Sequence, residues 1–169
     1  PGSPVLSIGA VLFDSTQLGP EFYARISLES CMRAGLQPDA STILWWMQQS
    51  DAARREITDP VSQMELRDAV VQFSEFVIKN ATPPFTVWGN GSDFDNVLLT
   101  EAHRAVGIEP PWRFWANRCY RTLKSLAPEV TIARTGTHHN ALDDAKSQAL
   151  HAIQLCKHLH IQHILESSL

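Results

Sequence analysis

The segment Val5-Leu6-Ser7-Ile8-Gly9-Ala10-Val11-Leu12-Phe13 constrains the fold of this chain more than any other. It is a nearly continuous apolar run of strand-forming residues, the pattern of a strand covered on both faces. Such a strand needs a layer of structure on each side, so the chain must supply helices. Phe22 to Ser27 alternates as a neighbouring strand would, and the two runs read as a pair.

The remaining pattern supplies those helices. Pro38-Asp39 offers a stop and a cap before Ala40 to Gln49, where Ile43, Leu44, Trp46 and Met47 recur at helical spacing, and a shorter helix is predicted around Asp51 to Ile57. Ser62-Gln63-Met64-Glu65 reads as a capping box ahead of Leu66, Ala69, Val70, Phe73, Phe76 and Val77, a long amphipathic helix ending near Asn80. After Thr82-Pro83-Pro84 a short strand is predicted over Phe85 to Trp88, closing in the turn Gly89-Asn90-Gly91, and Phe94 to Val106 resumes the helical period. Trp112 to Trp115 is predicted as a short strand and Tyr120 to Leu126 as a helix stopped by Pro128. A final helix is predicted over Ala141 to His160, with Leu142, Ala145, Ala149, Ile153 and Cys156 inward. Strands alternating with helices indicate an α/β sheet covered by helices, and ligands of such folds gather beyond the carboxyl ends of the strands.

At 169 residues, 44% hydrophobic and 19% charged, the chain suits one ordinary globular domain. It has no apolar run near the roughly 18 to 20 residues that cross a bilayer and no basic-then-apolar opening, so a cytoplasmic protein without a membrane partner is expected. Cys31, Cys119 and Cys156 have neither CxxC nor zinc spacing and are expected to be buried thiols. The net charge of −4 opposes simple phosphate binding by clustered Lys and Arg, so a nucleic-acid partner would have to be held in another way, such as through bound cations.

Two acidic segments stand at predicted helix starts: Asn90-Gly91-Ser92-Asp93-Phe94-Asp95-Asn96, and His138-His139-Asn140-Ala141-Leu142-Asp143-Asp144 after Thr137. Asp95 opens the helix after the Phe85 strand and Asp144 lies in the first turn of the last helix, so both can point into one mouth. Two such carboxylates suit Mg²⁺, which takes oxygen ligands and keeps waters. The plainer reading is that acidic residues in a first turn complement the helix dipole, with Asp93 or Asp95 only capping. Asn140 and Asp143 have capping-box spacing, which gives Asp143 a local role and leaves Asp144 without one. His139 precedes the helix and can accept a proton near neutrality, its unperturbed pKa being about 6.5; His138 competes for that role. Trp45 and Trp46 can stack a terminal base or belong to the core. Arg118, Arg121 and Lys124 can contact phosphates or cover an exposed helix face.

These residues resemble the DEDDh superfamily of 3′–5′ exonucleases, which has a ribonuclease H-like fold. His139-Asn140-Ala141-Leu142-Asp143-Asp144 matches the last motif of that family, a His and an Asp separated by four residues, and Asn90 with Phe94-Asp95 is similar to the middle one. Leu6 to Val11, Asp39 to Ser50 and Arg118 to Thr122 resemble, more narrowly, the branch holding phage and prophage exonuclease VIII-type proteins and a mycobacterial 3′–5′ exoribonuclease. The resemblance covers nearly the whole chain. It implies a mixed central sheet flanked by helices, with a first motif, Asp-x-Glu, on a strand just before the Ser7 to Val11 strand. That motif is absent from residues 1–169, and Glu21 and Glu29 lie too late to substitute. Residues 1–169 are therefore expected to be a single exonuclease domain, truncated at its N-terminus.

The resemblance implies His139, Asp144 and Asp95 as catalytic residues, with Asp95 and Asp144 as ligands to two divalent cations, Mg²⁺ or Mn²⁺. Asn90, Trp45, Trp46 and Arg118 would bind substrate. The implied partners are single-stranded DNA or RNA 3′ ends, hydrolysed to nucleoside 5′-monophosphates; a homodimer is left open. An alternative is a catalytically inactive nuclease-like module that binds nucleic acid or protein. A metal phosphohydrolase of another fold ranks lower, because further histidines at ligand spacing are not evident.

Overall fold

The apolar run resolves into two faces. In the computed structural model, which describes residues 2–91, 93–133 and 140–165, β1 (Ser7–Phe13) runs antiparallel to β2 (Leu18–Ile26), with Ile8 opposite Ala24 and Ala10 opposite Phe22. Successive side chains of a strand point to opposite sides, so Ile8 enters one core cluster while Val11 and Phe13 enter another.

The first cluster is closed by a helix whose stripe was predicted. After α1 (Leu28–Arg33), α2 (Ala40–Met47) and α3 (Asp51–Thr58), α4 (Leu66–Asn80) buries Leu66, Ala69, Val70, Phe73 and Val77. Phe73 meets Phe22 of β2 edge to face, ring centroids 5.3 Å apart; burying one such side chain contributes roughly 1.5–3 kcal/mol. The second cluster is closed by α6 (Tyr120–Ser125) and α7 (Ala141–His158), which follow α5 (Asp95–Ala105).

Four local expectations change. Ser62 to Glu65 is not a capping box: Gln63–Met64 forms β3, parallel to β2, and Glu65 is the N-cap residue without a side-chain cap bond. Ser62 Oγ instead accepts from Arg25 Nη1 at 2.5 Å, and the Leu66 N–H is satisfied by Ser30 Oγ of α1 at 2.9 Å. Trp112 to Trp115 is not a strand; Phe114–Ala116 is a 3₁₀ turn and the strand β5 follows at Asn117–Cys119. Trp112 is buried with its indole N–H on Asn117 Oδ1, which fixes it as a loop anchor instead of a strand residue. The inner face of α7 is rotated from the predicted one. Ser147, Ala149, His151, Ala152, Leu155 and Cys156 are buried, whereas Leu142, Ala145 and Ile153 are half-buried. Cys31 and Cys156 are buried as expected; Cys119 is half-buried and caps α6.

Among the described residues the strands form two sheets, one ordered β1-β2-β3 and one pairing β4 (Val87–Gly89) in parallel with β5. β1 and β4 line the same cavity, of about 520 Å³, together with residues of α5, α6 and α7. Free strand edges carry unpaired N–H and C=O groups and are usually covered or blunted. Here they face an interior space.

Gly9 sets the depth of the contact between β1 and α7. A Cβ at Gly9 would stand 2.2 Å from both Ala141 C and Leu142 N, inside the backbone of the first turn of α7. Gly9→Ala is expected to cost at least the roughly 1–3 kcal/mol typical of an overpacked core, measured as a lower midpoint in urea unfolding; an unchanged midpoint would show that α7 does not press on β1.

Candidate active site

Two helix starts meet at the cavity. Asp144 lies in the first turn of α7, and that turn is fixed from its cap: Asn140 Oδ1 accepts from the N–H groups of Leu142 and Asp143, both at 3.1 Å. The Asp144 N–H donates to the Asn140 carbonyl at 3.0 Å. Asp95 is the first residue of α5 and reaches back to the end of β4, where its Oδ2 accepts from the Asn90 N–H at 2.5 Å. Both aspartates line the cavity.

Gly89 and Asn96 place Asp95. A Cβ at Gly89 would lie 2.6 Å from Asn96 Oδ1 and 3.1 Å from Asp95 Cβ, so only glycine lets α5 start this close to β4. Asn96 is buried and its amide donates to Val87 O at 2.9 Å and to Asn117 Oδ1 at 3.2 Å, which ties α5 to β4 and to β5 at once. A buried amide pays a desolvation cost unless paired; here it becomes a staple. Sequence reading passed over Asn96, because a polar residue in a first helical turn looks solvated.

The Asp95 carboxyl is pushed above the ordinary carboxylate range by burial first, with the charge of Asp144 acting the same way; the Asn90 N–H and the Arg121 charge pull it down. The residue is nonetheless exposed at the cavity mouth. Crowding by protein on one side and water on the other are both present, and the open side limits how far the carboxyl can rise.

The remaining sequence candidates divide. Trp45 and Trp46 line the cavity with Thr42; α2 has no buried residue, so neither indole is core, and Trp45 is 43% exposed. Asn90 also lines the cavity, but its described contacts run through the main chain. Arg118 turns away: its Nη1 donates to the carbonyls of Trp115 and Asn117 at 2.8 and 2.9 Å. Arg121, in the first turn of α6, lines the cavity instead and donates from Nη2 to the Asn90 carbonyl at 3.0 Å. Glu21 pairs with Lys146 at 2.7 Å and Glu29 with Arg33 at 3.0 Å, so both are engaged elsewhere. Thr137, His138 and the expected base His139 lie outside the described residues.

A second buried network supports the wall. His151 Nε2 lies 2.8 Å from the Val130 carbonyl, which can only accept, so Nε2 carries the proton and Nδ1 accepts from Tyr120 O–H at 2.7 Å. Tyr120 lines the cavity beside Arg121. His151 escaped the sequence reading because one histidine among seven gives no signal until its partners are seen.

Among the described residues no group of three or more His, Cys, Asp or Glu side chains stands together. Asp95 and Asp144 still fit a divalent cation: their like charges push on each other, and Mg²⁺ is commonly held by one or two carboxylates plus waters and substrate phosphate.

A family model described as the 3′–5′ exoribonuclease Rv2179c-like domain matches residues 1–156. No curated protein and no solved structure matches the chain at a significant level.

Because its folded value is raised, the Asp95 carboxyl contributes stability below the ordinary carboxylate range that is lost as pH rises through the raised value. Asp95→Asn, which does not titrate, is expected to unfold at a higher temperature than the parent near pH 7, the gap narrowing toward about pH 3. A parent more stable than the variant at neutral pH would contradict the upward push.

Proposed function

The chain belongs to the 3′–5′ exoribonuclease Rv2179c-like family, and we propose on that footing that it removes nucleotides from the 3′ end of single-stranded nucleic acid, releasing nucleoside 5′-monophosphates. The observation that carries this reading is the convergence of Asp95 and Asp144, from two different helix starts, on one cavity. RNA is the substrate class that the family description favours.

Asp95 and Asp144, which line the cavity together, would hold divalent cations, Mg²⁺ or Mn²⁺. Such cations supply a clamp on both oxygens of an in-line displacement.

The protein's own part in the reaction is positioning and proton transfer. Trp45 and Trp46 would stack the terminal base, a contact worth about 1–3 kcal/mol and tolerant of sequence. His139 would take a proton from the attacking water as the new P–O bond forms. The P–O3′ bond then breaks, and the departing 3′-oxygen takes up a proton. No covalent enzyme intermediate is formed.

A non-catalytic binding module is the second reading, favoured by the finding that only two carboxylates of the described residues line the cavity. Hydrolysis of a 5′-labelled oligonucleotide in Mg²⁺ separates the two. Stepwise shortening from the 3′ end that Asp144→Asn abolishes is expected, and His139→Ala should slow it by roughly 10²- to 10⁴-fold. Full activity of Asp144→Asn would remove the nuclease assignment at this site, and Mg²⁺-independent binding without hydrolysis would favour the module.

A further inference from the structure

Asn90 joins a carboxylate and a guanidinium through a single residue's main chain. Its N–H donates to Asp95 Oδ2 at 2.5 Å, and its carbonyl accepts from Arg121 Nη2 at 3.0 Å. Arg121 is thereby held at the rim of the cavity that Asp95 and Asp144 line, close enough for its charge to act on the Asp95 carboxyl. Gly91 shapes the turn that presents Asn90: its backbone has φ +147°, which other residues rarely adopt, and an added Cβ would crowd Phe94 Cβ at 3.3 Å.

The side chain of Arg121 keeps donors to spare among the described residues. Arg121 is exposed, and guanidinium carries five N–H donors, of which the Asn90 carbonyl takes one. An arginine whose one hydrogen bond among the described residues is to a fixed main-chain carbonyl is preorganised for an anion, and the guanidinium fork matches two oxygens of a phosphate. The chain's net charge of −4 makes the position more informative. A cation placed beside two carboxylates in an acidic protein answers a local need for positive charge.

We propose that Arg121 binds a backbone phosphate of the nucleic-acid strand at the 3′ end, next to the phosphate that cations on Asp95 and Asp144 would hold. The inference rests on the nuclease reading above. It makes Arg121 of α6, and not Arg118 of β5, the phosphate-binding arginine, with Asn90 as the main-chain bracket between it and Asp95.

A double-mutant cycle on binding tests this without turnover. Affinity of the full chain and of Arg121→Ala is measured by fluorescence anisotropy in Ca²⁺ for a single-stranded pentanucleotide. The same pentanucleotide with neutral methylphosphonates in place of its last two linkages completes the cycle. Arg121→Ala is expected to weaken the natural strand roughly tenfold to a hundredfold, the range of one charge-assisted hydrogen-bonded contact. It should weaken the neutral strand much less, so that the two losses do not add. Arg121→Lys should recover only part of the loss. In parallel, Mn²⁺ affinity of Arg121→Ala, followed by calorimetry, should be unchanged or higher, because a positive charge has been removed beside the carboxylates. Equal losses on both strands, or a fall in Mn²⁺ affinity, would reduce Arg121 to a structural residue and overturn the proposal. If the parent binds the strand and Arg121→Ala binds it equally, the proposal falls and the nuclease reading stands; if the parent binds no strand at all, both fall.

Discussion

Everything at the site depends on how near two helix starts can come to two strands. α7 presses its first turn onto β1 where Gly9 leaves no side chain, and α5 begins against β4 where Gly89 does the same. Tight packing of this kind tolerates little displacement. A methyl group at either position would lift a helix start, and with it the aspartate that the helix carries. The distance between Asp95 and Asp144 is therefore set by backbone contacts within the layers, not by the carboxylates themselves, whose like charges repel.

The local field follows from that geometry. Helix N-termini favour negative charge, so first-turn positions suit Asp95 and Asp144 even before any cation arrives. Burial and mutual repulsion act the other way and push the Asp95 carboxyl upward. A site held in this tension is stabilised by a cation or a protonated group, which is the usual condition of residues kept for function at a cost in stability. Arg121 supplies part of the compensation from the α6 side.

The strands β1 and β2 and the stripe of α4 were readable because the period of their apolar residues agrees with the packing found, and the starts of α5 and α7 were readable from their first-turn acidic residues and the Asn140 cap, although the inner face of α7 was not. What the sequence hid were places where a distant partner overrode a local pattern. Ser62 has capping-box spacing to Glu65, but Arg25 takes its hydroxyl and Ser30 takes over the cap. Arg118 and Arg121 look equivalent on paper, and only the fold decides that Arg121 lines the cavity while Arg118 Nη1 turns to the carbonyls of Trp115 and Asn117. Trp45 and Trp46 read as half core, yet α2 carries no buried residue and leaves Trp45 open at the cavity. The aspartates were legible as a motif, whereas Asn96 and His151, which hold the walls, were not, since buried polar partners have no periodic signature.

The central claim is that Asp95 and Asp144 share one cation-binding cavity. Titrating Mn²⁺ into the isotopically labelled protein and following paramagnetic broadening of its amide signals tests it most directly. Broadening that spreads together over residues 89–96 and 140–145 and disappears in Asp144→Asn is expected. Broadening confined to one of those segments, or scattered over the acidic surface, would contradict a shared site.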